Sequence, residues 1–107
     1  MDARRASVEI DLSAVNTADE LQSLLMRSLD FPGWYGRNWN AFWDAITGLV
    51  PMPRQLLLIG WAGFVDRLPD DARLMCACLD DMGLQFPEHA AHVVYLETRV
   101  PANPPSS

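Results

Sequence analysis

Residues 34–48 read WYGRNWNAFWDAITG, and three of the chain's four tryptophans fall inside them. Pro32, Gly33 and Gly36 break any regular element ahead of Asn38, so this part reads as a loop. From Asn38 the pattern turns helical, with Asn38 suited to an N-cap and Gly48 to a stop. On a wheel of about 100° per residue, Trp39, Phe42, Ile46 and Leu49 share one side, which is an adequate core face. Asn40, Trp43, Asp44 and Thr47 form a second stripe, mostly opposite the first. Trp34 and Tyr35, on the loop, would widen the second stripe. Two readings of it stand: a solvated surface with Trp43 leaning over the core edge, or a protein-binding patch. Tryptophan and tyrosine are enriched at binding hot spots, along with the charge they frame.

Elements on either side supply a fold. SVEIDLS (residues 7–13) alternates apolar and polar, as a strand with one covered face does. NTADELQSLLMRSL (16–29) carries a Thr17/Glu20 capping box, then Leu21, Leu24, Leu25 and Leu29 at helical spacing. After the helix of residues 38–49, Pro51 and Pro53 force an extended link. QLLLIG (55–60) is a continuous apolar run, expected of a strand covered on both faces or lying mid-sheet. WAGFVDRLPDD (61–71) reads as irregular, with one helical turn at residues 64–67. PDDARLMCACLDDMG (69–83) is a helix whose first turn is acidic. Leu74, Met75, Cys78, Leu79 and Met82 give it an apolar side. HVVYLE (92–97) is a third strand. Strands separated by helices predict a small α/β domain with a mainly parallel sheet over residues 1–100. The tail PANPPSS (101–107) is expected to be disordered.

Composition narrows the function. The chain of 107 residues has net charge −6, and all eight of its basic residues are arginine. That balance argues against direct nucleic-acid binding, because the phosphate backbone would repel it. It suits a basic protein partner, although mild acidity also simply favours solubility. No apolar run is long enough for a membrane span, and the N-terminus lacks the apolar segment of a signal peptide. Cys76 and Cys78 are two apart on a predicted helix and point away from each other. They read as free thiols, which places the chain in a reducing cytoplasm. No cofactor and no metal site is expected. His89 and His92 lack a nucleophile or metal in register, so a small hydrolase using Asp44 with either histidine is the weaker reading. Asp70–Asp71 suit a helix start, whereas Asp80–Asp81 oppose the dipole at a helix end.

The segment 34–48 resembles the signature of the barstar family, the intracellular inhibitors of secreted bacterial ribonucleases. Tyr35, Gly36, Asn38, Ala41, Trp43, Asp44, Thr47 and Gly48 stand where that signature places them. Outside it the resemblance lies in element order. It implies a compact α/β fold with a three-stranded parallel sheet. It also implies a non-enzymatic immunity or antitoxin-like role, exerted by inserting the signature loop and helix into a ribonuclease active site. Asp44 would then take the place of the RNA phosphate, which a ribonuclease holds with cationic side chains. Trp43 and Thr47 would line the same face, Trp34 would replace a family tyrosine, and Asn38 would border the contact. Tyr35, Gly36, Asn40 and Gly48 complete the expected contact. A family acidic residue on the later helix corresponds to Asp80 or Asp81, and spacing does not separate them. Asn40 replaces an aspartate of the best-known member, Arg37 an acidic residue and Leu49 a tryptophan. The face is therefore less acidic, and a basic partner other than a ribonuclease is the alternative.

Overall fold

The computed structural model describes residues 4–98, so residues 101–107, expected as a disordered tail, and the domain boundary at residue 100 lie outside the described residues. Three strands, β1 (Ser7–Asp11), β2 (Gln55–Ile59) and β3 (His92–Leu96), form a parallel sheet in the order β1-β2-β3. Val8 pairs with Leu56 and Leu56 with Val93; Ile10 pairs with Leu58 and Leu58 with Tyr95. The alternation in β1 buries Val8 and Ile10 and leaves Ser7, Glu9 and Asp11 exposed. The apolar run of β2 follows from its central place in the sheet, where Leu56, Leu58 and Ile59 are buried.

The first crossover contains α1 (Ala18–Ser28), α2 (Trp39–Asp44) and a π-helical turn over Ala45–Leu49. Thr17 caps α1 by accepting the Glu20 N–H at 3.1 Å. The Glu20 carboxylate accepts the Thr17 hydroxyl at 3.2 Å and the Asn16 N–H at 3.3 Å, one residue earlier than the usual reciprocal partner. The second crossover contains α3 (Trp61–Arg67) and α4 (Pro69–Gln85). Here the single turn expected at residues 64–67 is a seven-residue helix. Gly60 takes a left-handed φ of 75°, which lets β2 turn directly into α3. A Cβ there would stand 2.7 Å from the Ser13 hydroxyl. Arg67 closes α3 onto the sheet, donating to the Leu12 and Val15 carbonyls at 2.7 and 2.8 Å.

Leu21, Leu25 and Leu29 of the first crossover, Phe42 and Ile46, Phe64, and Met75, Leu79 and Met82 meet the sheet in one core. Two expectations about core faces fail. Leu49 is 43% exposed. The Val50 N–H bonds the Ala45 carbonyl, five residues back, so the chain turns less per residue there than an α-helix and Leu49 rotates off the core stripe. Leu74 also faces outward, while Ala72 takes a buried place beside Met75 on α4.

Candidate functional site

α2 lies against α4, and the two helices leave an open groove of about 620 Å³ between them. Asn40 and Asp44, four apart on α2, are exposed along one wall. The opposite wall comes from one face of α4: Leu74, Cys78, Asp81 and Gln85. Trp39 and Trp43 form the apolar part of the lining. The Trp39 indole N–H donates to the Asp71 carboxylate at 3.0 Å, which ties the start of α2 to the start of α4. Trp43 is half-buried and its ring leans on Phe86, with centroids 6.4 Å apart.

Neither Asp44 nor Asp81 makes a hydrogen bond or an ion pair with any described residue. Both carboxylates therefore carry uncompensated charge into the groove. On the α4 wall, the Cys78 thiol is pushed up from its ordinary pKa by burial and then by the Asp81 charge.

The other expected site residues divide by environment. Trp34 is 73% exposed at the loop tip. Asn38 is exposed, but its side chain caps α2, accepting the Ala41 N–H at 2.7 Å and donating to the Gly36 carbonyl at 3.2 Å. At Gly36 the backbone runs close to α2, and a Cβ there would lie a crowded 3.1 Å from that of Ala41. Thr47 donates its hydroxyl to the Trp43 carbonyl at 2.6 Å. With exposed Gly48, Thr47 lines a neighbouring hollow of about 510 Å³ that also includes Arg4, Leu49 and His89.

Two placements differ from a single shared patch. Tyr35 does not widen the exposed surface: it is 5% exposed, and its hydroxyl donates to the buried Gln22 amide oxygen at 2.5 Å. Its ring packs on Phe31 with centroids 4.7 Å apart, because the loop folds this aromatic inward against α1. Burial above all pushes its pKa up to about 12. Asp80 faces away from the groove and lines a third hollow with Leu84, His92 and Tyr95, whereas Asp81 lines the groove with Asp44. The two neighbours point apart because about 100° separates them on a helix. Neither His89 nor His92 lines the groove that holds Asp44.

Leu74, Cys78 and Gln85 are groove residues not expected from the sequence. Their spacing with Asp81, at positions 74, 78, 81 and 85, was the signal available for one helix face. Among the described residues no helix is long and apolar enough to cross a membrane, and no group of three or more His, Cys, Asp or Glu side chains could hold a metal ion.

Fold and groove together define a small α/β protein with an open, acidic, indole-framed surface groove. The barstar family, described as the barnase inhibitor, matches residues 5–97, and the chain belongs to that family. A protein of Bacillus subtilis (strain 168) named "Putative ribonuclease inhibitor YrdF" is 43% identical over 49 residues. That match covers 46% of this chain and 54% of the relative, so the chain spans about half the length of the curated relative it matches.

Proposed function

We propose that this chain is an intracellular inhibitor of a bacterial ribonuclease of the secreted or toxin type, acting as an immunity or antitoxin-like protein in the cytoplasm. The loop and helix at residues 34–49 enter the enzyme's cleft. Asp44 accepts hydrogen bonds from the cationic side chains that otherwise hold RNA phosphate. The observation that carries this reading is Asp44 itself: an exposed, partnerless carboxylate at the end of α2, in a groove shared with Asp81. A ribonuclease must present arginine, lysine or histidine to bind phosphate, and a rigidly held carboxylate satisfies such a site without the entropy of ordering a flexible one. Asp81, and not Asp80, supplies the second negative charge. Trp34 offers an exposed ring to the rim of the cleft, and Trp43 backs Asp44 from within.

The test uses barnase, the enzyme named in the family's description. Mixing the two proteins should abolish RNA cleavage, and the association should slow as salt rises. Asp44→Ala should weaken binding by roughly 3–5 kcal/mol, more than a hundredfold in Kd, because the enzyme's cations are left desolvated and unpaired. Asp66→Ala, an exposed carboxylate on α3, should change it little. Equal losses from the two variants remove Asp44 from the anchor role. A second reading, a module for a basic partner that is not a ribonuclease, is favoured by one feature: the groove holds the neutral Asn40 where a further carboxylate would strengthen attraction to an enzyme's phosphate site. Binding of other basic proteins from the source cells with no effect on RNA cleavage would select it.

A further inference from the structure

We infer that Arg37 is a positioning residue: it fastens the loop at residues 34–38 to α1 and so presets Trp34 and the start of α2 for a partner. Arg37 has a φ of 57°, in the left-handed region where a side chain is strained and where arginine lacks the local compensation open to asparagine or aspartate. Gly36, which would enter that region freely, stands next to it without doing so. The strained conformation aims the Arg37 guanidinium back across α1. There it donates to the Asp19 carboxylate at 2.6 Å, to the Asp19 carbonyl at 3.1 Å and to the Ser23 hydroxyl.

Stability alone does not account for this arrangement. The ion pair is open to solvent, with the Arg37 and Asp19 side chains 36% and 82% exposed, and such pairs contribute no more than the strained backbone takes away. What the pair does is fix where the loop lies. Two residues earlier, Tyr35 reaches the same helix from inside, bonded to Gln22. Asp19, Gln22 and Ser23 are spaced i, i+3 and i+4, so one row of α1 receives both ties. Trp34 flanks the ties on one side and the cap residue Asn38 on the other. The same geometry turns the Arg37 charge toward Asp19, where it does not compete with a cationic partner for Asp44.

The clamp concerns the free chain, and its consequence for binding rests on the ribonuclease reading, so the experiment has two arms. In the first, amide hydrogen exchange over residues 33–38 is compared in the full wild-type chain, Arg37→Ala, Arg37→Gly and Arg37→Lys. Arg37→Ala should speed loop exchange about tenfold without altering exchange in β2. Arg37→Gly relieves the backbone strain, so its melting temperature should equal or exceed that of wild type while loop exchange stays fast. That split separates positioning from stability. Arg37→Lys should restore part of the protection. In the second arm, Kd for barnase should rise as the competent fraction of the loop falls, by at most the factor seen in exchange. The effect of Arg37→Ala should disappear in an Asp19→Ala/Ser23→Ala background. Unchanged loop exchange in both Arg37→Ala and Arg37→Gly, or full additivity with the Asp19/Ser23 pair, overturns the clamp. If wild type fails to bind barnase, barnase falls as the target and the exchange arm still decides the clamp.

Discussion

Tyr35→Phe removes one oxygen from the interior and tests how the loop is held. The hydroxyl lies 2.5 Å from the Gln22 amide oxygen, and the two residues are 5% and 4% exposed. Without it, Gln22 keeps a buried acceptor with no donor in reach, which costs about 1–3 kcal/mol. At neutral pH that corresponds to a fall in Tm of roughly 10 °C for a domain of this size. The pH dependence makes the prediction sharper. In the unfolded chain the phenol ionises near the ordinary 10.0, while in the folded protein it keeps its proton to about 12. A raised folded pKa contributes stability that is fully present below pH 10 and lost as pH climbs from 10 towards 12. Wild type should therefore lose about 1.4 kcal/mol through this group by pH 11, and the phenylalanine variant should not. Tyr95, whose pKa is also raised, titrates in both proteins and cancels from the difference. Urea unfolding at pH 8 and pH 11 should show the gap between the two proteins narrowing. A gap that stays constant would mean that the fold does not hold the Tyr35 phenol neutral, and the account of the loop's inner tie would be wrong.

Two further expectations concern packing around the groove. Leu49→Ser should change unfolding free energy by no more than about 0.5 kcal/mol. A leucine on the core face would cost several times that, so urea titration distinguishes a π-turn register from an unbroken α-helix. Trp39→Phe and Asp71→Ala should each cost about 1 kcal/mol by removing the indole–carboxylate bond, and the double variant should cost less than their sum, as read from a double-mutant cycle in urea.

The elements most legible in the sequence were those whose signals are local and repeated. The alternation of Val8 and Ile10 in β1, the Thr17/Glu20 cap of α1 and the apolar run of β2 are all read from neighbours within a few positions. Leu49 was misplaced because a wheel assumes a constant turn, and nothing in AITGL announces a π-bonded turn. The helical state of Trp61 is not legible, because a left-handed Gly60 starts α3 with no side-chain cap to signal it. Leu74 resembles a core residue by type, and only the position of α2 against α4 shows that it faces the groove. The exposure of Asp44 followed from the wheel, because α2 is regular as far as that residue. The side of Asp80 and Asp81 did not, since it depends on how α4 is rotated against the sheet. Tyr35 is the most instructive case. Its composition-level role, an aromatic beside an aromatic, says nothing about which ring turns inward. The presence of Gln22 thirteen residues earlier decides it, and that pairing exists only after folding.

The crowding of aromatic and polar side chains into residues 34–48 has a physical logic once each is assigned its neighbour. Tyr35, Asn38, Trp39 and Thr47 all spend their polar atoms inside the chain, on Gln22, Ala41, Asp71 and the Trp43 carbonyl respectively. Phe42 spends its ring on the core. Among the described residues, the polar side chains of the segment left without internal hydrogen bonds are Trp34, Asn40, Trp43 and Asp44, at the loop tip and along the groove. One set of side chains in the segment therefore fixes the geometry in which another set is presented, and the fixing residues cannot be exchanged for the presenting ones. A short helix of six residues would be marginal alone. It is held by a cap at one end, an indole tether to α4 on its flank and a π turn at the other end. Asp44 sits at the junction of that helix and turn, on helical backbone. A carboxylate in that position has only its own side-chain rotamers left to order when it meets a cation, and the strength of the proposed contact comes from that prior ordering of the backbone as well as from charge.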